Sequence, residues 1–243
     1  MKQVIIKILL LMIGIQFVNS SLYGQLYQKG DTLYVNAFGG LNFREQPNLT
    51  SKIIRKLNYG EKIILEYNSS IGVRQTIKEL DGNWVRIKTK EHIGYVFDTY
   101  LSELPIVSLD SDSDSDCTSS LLSEYIGKLV NHFGIIDTTT YFNGSDGEGF
   151  SRMDIYALNG NHQYIVHTGW EDYMIEIQLE NVSENEVIQT IRNSLQYCGK
   201  FSKSIDKSLS YLQATITLDP TCCGVRIRKY EDRIFLQVYG GVN

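Results

Sequence analysis

The chain has 243 residues, 42% of them hydrophobic, and a formal net charge of −5. It is long enough for one large or two small packed units, and an acidic balance with only short basic runs such as Arg226-Ile227-Arg228-Lys229 excludes the clustered Lys and Arg that hold nucleic acid. Tyr (16) and Phe (9) supply ample aromatic surface for a core.

Lys2 and Lys7 flank the start of an apolar run, Ile8 to Val18, interrupted only by Gly14 and Gln16 and followed by Asn19-Ser20-Ser21. This is the layout of a secretory signal peptide, and the run falls short of the ~20 apolar residues that span a bilayer. We expect residues 1–24 to be removed by cleavage between Ser21 and Gln25, with an uncleaved anchor as the alternative. No cysteine stands near either site to accept a lipid. The expected product is periplasmic or secreted, with no stable membrane insertion after cleavage.

From residue 30 to residue 103 short apolar runs alternate with turn residues. Thr32 to Asn36, Leu41 to Arg44, Ile53 to Leu57, Lys62 to Tyr67, Trp84 to Lys88 and Gly94 to Phe97 read as strands, with turns at Pro47, Asn58-Tyr59-Gly60 and Asp81-Gly82-Asn83. Leu41-Asn42-Phe43-Arg44-Glu45-Gln46-Pro47, Gly60-Glu61-Lys62, Gly82-Asn83-Trp84-Val85-Arg86-Ile87, Gly94-Tyr95-Val96 and Tyr100-Leu101 follow one another in an order that resembles the bacterial SH3 (SH3b) family. The resemblance implies a small all-β SH3-like barrel that binds peptides or cell-wall material, or spaces a partner domain. Asn68 to Leu80 reads as an insertion relative to that pattern. Period-two geometry sends Val85 and Ile87 inward and Trp84, Arg86 and Lys88 to the opposite face. A partly exposed Trp84 beside Arg86 is a candidate binding surface, with Trp84 covering a barrel end as the alternative reading. Tyr95 is carried with them, and Tyr34, Tyr59 and Tyr67 are weaker candidates.

Residues 104–117 read as an acidic Ser/Asp linker. The alternating Asp of Ser108 to Asp116 does not make an EF-hand calcium loop, because its sixth and twelfth positions, counted from Asp110, are Ser115 and Leu121 instead of Gly and Glu. Residues 118–243 read as an α+β domain with an antiparallel sheet. Apolar residues at three-and-four spacing predict a helix over Ser119 to Phe133, stopped at Gly134. Strands follow over 135–142, 153–158, 163–168 and 173–179, then a helix over 183–197, then strands over 213–218, 224–230 and 233–239.

Cys117, Cys198, Cys222 and Cys223 all lie in this second half, and an even count in an exported chain predicts disulfides. The preferred pattern joins Cys198 to Cys222 or Cys223 and Cys117 to the other. No pair has zinc-knuckle spacing, so no metal and no other cofactor is expected.

Asp116-Cys117-Thr118-Ser119-Ser120-Leu121 at a helix start resembles the nucleophile region of the NlpC/P60 cell-wall peptidases, and a helix dipole would favour a Cys117 thiolate. The resemblance departs where that family's histidine would stand, because Arg152 occupies the position, and His162 and His167 come later on opposite faces. Asn143 to Gly149 reads as a solvated loop, and His132 complements the end of its helix.

The sequence thus points to an exported, non-enzymatic binding protein whose SH3b module contacts cell-wall peptide, peptidoglycan or another exported protein. An inhibitor or immunity factor for a partner enzyme is the first alternative. A cell-wall cysteine peptidase is the second.

Overall fold

The computed structural model describes residues 27–66, 74–77, 80–107, 117–145, 148–169, 172–219 and 223–241. The expected signal peptide and the acidic run Ser108 to Asp116 lie outside them. The described chain is mostly antiparallel β, in two sheets with a few helices.

The first sheet holds β1 (Thr32–Val35), β2 (Leu41–Arg44), β3 (Ile53–Leu57), β4 (Lys62–Leu65), β5 (Arg74–Ile77), β6 (Leu80–Lys88), β7 (Ile93–Phe97) and β8 (Leu101–Ser102). Its order is β3-β2-β7-β6-β4-β1-β8, with β5 added to β6. Strict alternation of apolar residues makes the sheet: Leu33, Val35, Leu41, Phe43, Ile63, Leu65, Val85 and Ile87 turn inward onto one small core. The path does not close into the expected barrel, since β3 and β8 end it among the described residues. The β8 end turns instead toward the second unit, where the Glu103 amide donates to Glu186 Oε1 at 2.6 Å.

Two local expectations change here. Asp81-Gly82-Asn83 is not a turn but lies within β6. Glycine is required there for close packing: a Cβ at Gly82 would stand 2.1 Å from Thr99 Oγ1 and 2.5 Å from Asp98 Oδ1. Part of the insertion-like stretch forms β5, which pairs with β6 from Arg74↔Asn83 to Ile77↔Leu80.

The second sheet is seven-stranded and wholly antiparallel, ordered β13-β14-β15-β12-β11-β10-β9. Its strands are β9 (Ile135–Ser145), β10 (Glu148–Leu158), β11 (Gln163–Thr168), β12 (Asp172–Glu180), β13 (Gln213–Asp219), β14 (Cys223–Tyr230) and β15 (Arg233–Gly241). Helices α1 (Cys117–Phe133) and α2 (Glu184–Tyr197) cover one face, sealing Leu122, Tyr125, Ile126, Leu129, Val187, Ile191 and Leu195 against Ile177, Val225, Ile227, Leu236 and Val238. A third helix, α3 (Lys203–Ser210), was not foreseen. It is short and polar, and Ser202 caps it by accepting from the Ile205 amide at 3.3 Å. The first residues of the loop expected from Asn143 to Gly149 lie inside β9, which runs to Ser145.

The first and second units are not joined by a free linker at residue 104. Leu104 and Val107 are buried in the larger core, as is Leu80 of β6, and Tyr59 donates to the Val107 carbonyl at 3.0 Å. A buried polar latch fixes their contact. Asn193 Nδ2 donates to Asn36 Oδ1 at 2.7 Å, Asn36 Nδ2 donates to Thr190 Oγ1 at 2.9 Å, and the Phe38 amide donates to Asn193 Oδ1 at 3.1 Å. Asn36 and Asn193 are fully buried, so each amide must find its partner inside the protein.

Asn193→Ala leaves Asn36 Oδ1 and the Phe38 amide without that partner. The expected cost is about 2 to 4 kcal/mol in urea unfolding of the whole chain. The exposed Gln196→Ala on the same helix should stay within about 0.5 kcal/mol. Equal midpoints for the two variants would show that the latch carries no weight.

Candidate functional site

Docking the two units leaves a cleft of about 560 Å³ between them. One wall comes from the first sheet: the β1–β2 loop from Ala37 to Leu41, Arg44 on β2, Lys56 on β3, Trp84 on β6, then Phe97 and Tyr100. The opposing wall is Gln189, Arg192 and Gln196 of α2, with Phe201 and Asp206. Gly40 makes the loop's tight path possible, with a φ of +78° and the Leu57 carbonyl only 2.7 Å from where a Cβ would stand.

Aromatic groups dominate the interior. Phe38, 41% exposed, meets Tyr197 edge-on at 6.0 Å, and Phe97 bridges Trp84 and Tyr100 at 5.7 and 6.2 Å between ring centroids. The charged groups are arranged unevenly. Arg192 Nε lies 2.5 Å from Asp206 Oδ1, and its other arm donates to Ser210 Oγ at 3.1 Å. Arg44 donates to the Ser51 carbonyl at 2.6 Å and Lys56 stands nearby, so the lining carries three cations and one carboxylate. Such a cleft suits an elongated ligand with apolar faces and a negatively charged or carbonyl-rich group.

Trp84 is the one sequence-predicted binding residue brought to the cleft, but not as an exposed anchor. It is only 4% exposed. Its indole N–H donates to Gln75 Oε1 on β5 at 2.8 Å, so the strand formed from the insertion covers it. The alternation that places Trp84 and Arg86 on one face is present, because Trp84 lies opposite Phe97 and Arg86 opposite Tyr95. Arg86 and Tyr95 are half-buried and do not line the cleft. Sequence reading missed Phe38, Arg44, Tyr100 and Arg192. Arg44 and Tyr100 sit in the very motifs that carried the resemblance. Arg192 gave no signal beyond a charge in a helix.

Behind Trp84 lies a buried carboxylate. Asp98 accepts from the Asn83 amide at 2.7 Å and from Asn83 Nδ2 at 3.2 Å, yet burial outweighs these bonds and pushes its pKa up to about 6.

The cysteine and histidine candidates do not form a constellation among the described residues. The side chain of Cys117 lies outside them, as does Cys222. Cys223 is buried on β14. It lies on the same side of its strand as Val225 and Ile227. Arg152 pairs with Asp154 at 2.8 Å. His162 is a packing residue: its Nδ1 accepts from the Glu180 amide at 3.1 Å, its ring lies 3.9 Å from that of Phe133, and burial lowers its pKa. No group of three or more His, Cys, Asp or Glu among the described residues is placed to hold a metal ion.

Residues 39–102 match the family described as bacterial SH3 domain, and no family is recognised in the rest of the chain. No curated protein and no solved structure matches the chain. The matched span supplies most of the cleft's first wall.

Because folding raises the Asp98 pKa above its ordinary 3.8, the folded state holds this proton more tightly than the unfolded chain. The contribution is full below about pH 4 and is lost as pH rises through about 6. Asp98→Asn should therefore flatten the fall in stability between pH 4.5 and 7 by on the order of 1 to 3 kcal/mol. Parallel pH profiles of the unfolding free energy for both proteins would contradict this.

Proposed function

We propose that this is an exported, non-enzymatic binding protein of the cell envelope that holds peptidoglycan in the cleft between its two units. One observation carries the reading. The segment that matches the bacterial SH3 domain forms the aromatic, cation-bearing wall of the cleft, and such domains commonly serve as cell-wall or protein binding modules. The peptide portion of a wall polymer offers carboxylates for Arg44 and Lys56, and amide groups for Arg192, Gln189 and Gln196. Apolar stretches of the same chain fit against Phe38 and Tyr100.

Export is supported by the basic start and apolar run from Lys2 to Val18, and by the association of this domain type with extracellular and envelope proteins. No helix among the described residues is long and apolar enough to cross a membrane. An oxidising location makes a disulfide between Cys198 and Cys222 or Cys223 part of the same proposal.

Purified peptidoglycan should pull the protein from solution without releasing soluble fragments. Arg44→Glu and Tyr100→Ala should each weaken retention about tenfold, or 1 to 2 kcal/mol. Cys117→Ser should change neither retention nor fragment release. Failure to sediment with the polymer would remove the binding reading. Fragments that vanish in Cys117→Ser would establish the peptidase instead.

Non-reducing peptide mapping of protein prepared from the envelope should link Cys198 to Cys222 or Cys223. The bond closes a loop of about 25 residues, and Cys198→Ser should cost roughly 3 kcal/mol. Recovery of all thiols in reduced form would refute the bridge.

A further inference from the structure

We propose that the cleft is one end of a longer binding surface: the carboxylate-bearing strand it holds leaves at Arg44 and crosses the outer face of the first sheet, where Arg86 and Lys88 take its further anionic groups. The inference rests on the cleft as the polymer site and adds where the ligand goes next. Strand register brings the residues together. Arg44, which lines the cleft, lies opposite Tyr95 on β7, and Tyr95 lies opposite Arg86 on β6. Lys88, two residues on, lies opposite Ile93 of β7 on one side and Ile64 of β4 on the other. Val85 and Ile87 are buried in the core of the first unit, so alternation turns Arg86 and Lys88 to the opposite side of the sheet. That side is open at this end. Lys88 is exposed, and the isoleucines flanking it are 54% exposed at Ile64 and 45% at Ile93.

Charge and continuity with the cleft select the occupant. The face carries Arg44, Arg86 and Lys88, joined on β4 by the exposed Lys62, two residues from Ile64. Glu66, next after β4, is the one carboxylate in line with them among the described residues. In a chain whose net charge is −5, a face with this excess of cations runs against the overall balance and favours an anionic ligand. A neutral glycan strand would gain nothing from these cations, whereas the peptide portion of the polymer brings carboxylates to them. Ile64 and Ile93 receive the aliphatic stretches between its charges. Arg44 makes the path continuous. It uses one donor on the Ser51 carbonyl, and a guanidinium has five N–H groups, so others face a carboxylate at the cleft mouth. From Arg44 to Arg86 is two strand spacings, about 10 Å, and Lys88 stands about 7 Å farther along β6. An extended peptide covers that path with about five residues. Arg86 and Tyr95, which stand outside the cleft, thereby gain a place beside it.

The test is co-sedimentation of the whole protein with purified peptidoglycan at about 0.05 M and about 0.5 M NaCl, which bracket a screening length of ~8 Å. Arg86→Glu and Lys88→Glu should each weaken retention about fivefold at the lower salt and flatten its fall with added salt. Arg86→Lys keeps the charge and should stay within about twofold of the parent. Converting the polymer's carboxylates to neutral amides with carbodiimide and ammonia should weaken the parent and leave Lys88→Glu equal to it. Tyr100→Ala removes an apolar contact in the cleft, so its loss should be the same at both salt concentrations. Lys88 is exposed, and Lys88→Glu should keep the circular dichroism and unfolding midpoint of the parent. If Tyr100→Ala weakens retention while Arg86→Glu and Lys88→Glu bind like the parent at both salts, the path over the sheet is overturned and the cleft stands. A parent that fails to sediment overturns both. A Lys88→Glu protein that still falls below the parent on the amidated polymer overturns the assignment of carboxylates to this face.

Discussion

The hydrogen-bonded contact between Asn36 and Asn193 is the constraint on which the rest of the molecule depends. Apolar burial holds each sheet to its core and draws Leu80, Leu104 and Val107 into the larger one, but it is non-directional and by itself would let the first unit slide over α2. Two buried amides do not permit sliding, because a displacement of about 1 Å leaves donors and acceptors unpaired in a place water does not reach. The latch also explains the composition of α2. Gln189, Thr190, Arg192, Asn193 and Ser194 are all buried, although they would form the solvent face of an ordinary surface helix. One side of α2 carries Val187, Ile191 and Leu195 into the apolar core, while the polar side is the seat of the first unit.

That seating builds the cleft. Phe38 is held by the Asn193 side chain through its backbone amide, and it reaches Tyr197 at the far end of the same helix. Arg192 lies one residue before the latch. Its pairing with Asp206 brings α3 into the wall. A buried ion pair costs desolvation that its mutual attraction only partly offsets, so it is weak evidence for stability. The two arms of Arg192, on Asp206 and Ser210, instead fix where α3 stands against α2 at the cleft wall.

Much of the backbone was legible in the sequence because alternation and three-and-four spacing report burial directly. Leu33, Val35, Val85, Ile87, Val225, Ile227, Leu236 and Val238 all stand inside as their patterns require. The failures have specific causes. Asp81-Gly82-Asn83 has turn chemistry, but Gly82 is there to admit Thr99 and Asp98 against β6. Trp84 has the expected parity, but its exposure depended on β5, a strand drawn from a segment with no clear period. α3 has eight residues and a polar sequence, too short for periodicity to declare, and only the Ser202 cap marked it. The cleft itself could not be read, because Phe38 and Arg192 are more than 150 residues apart and meet only through the latch.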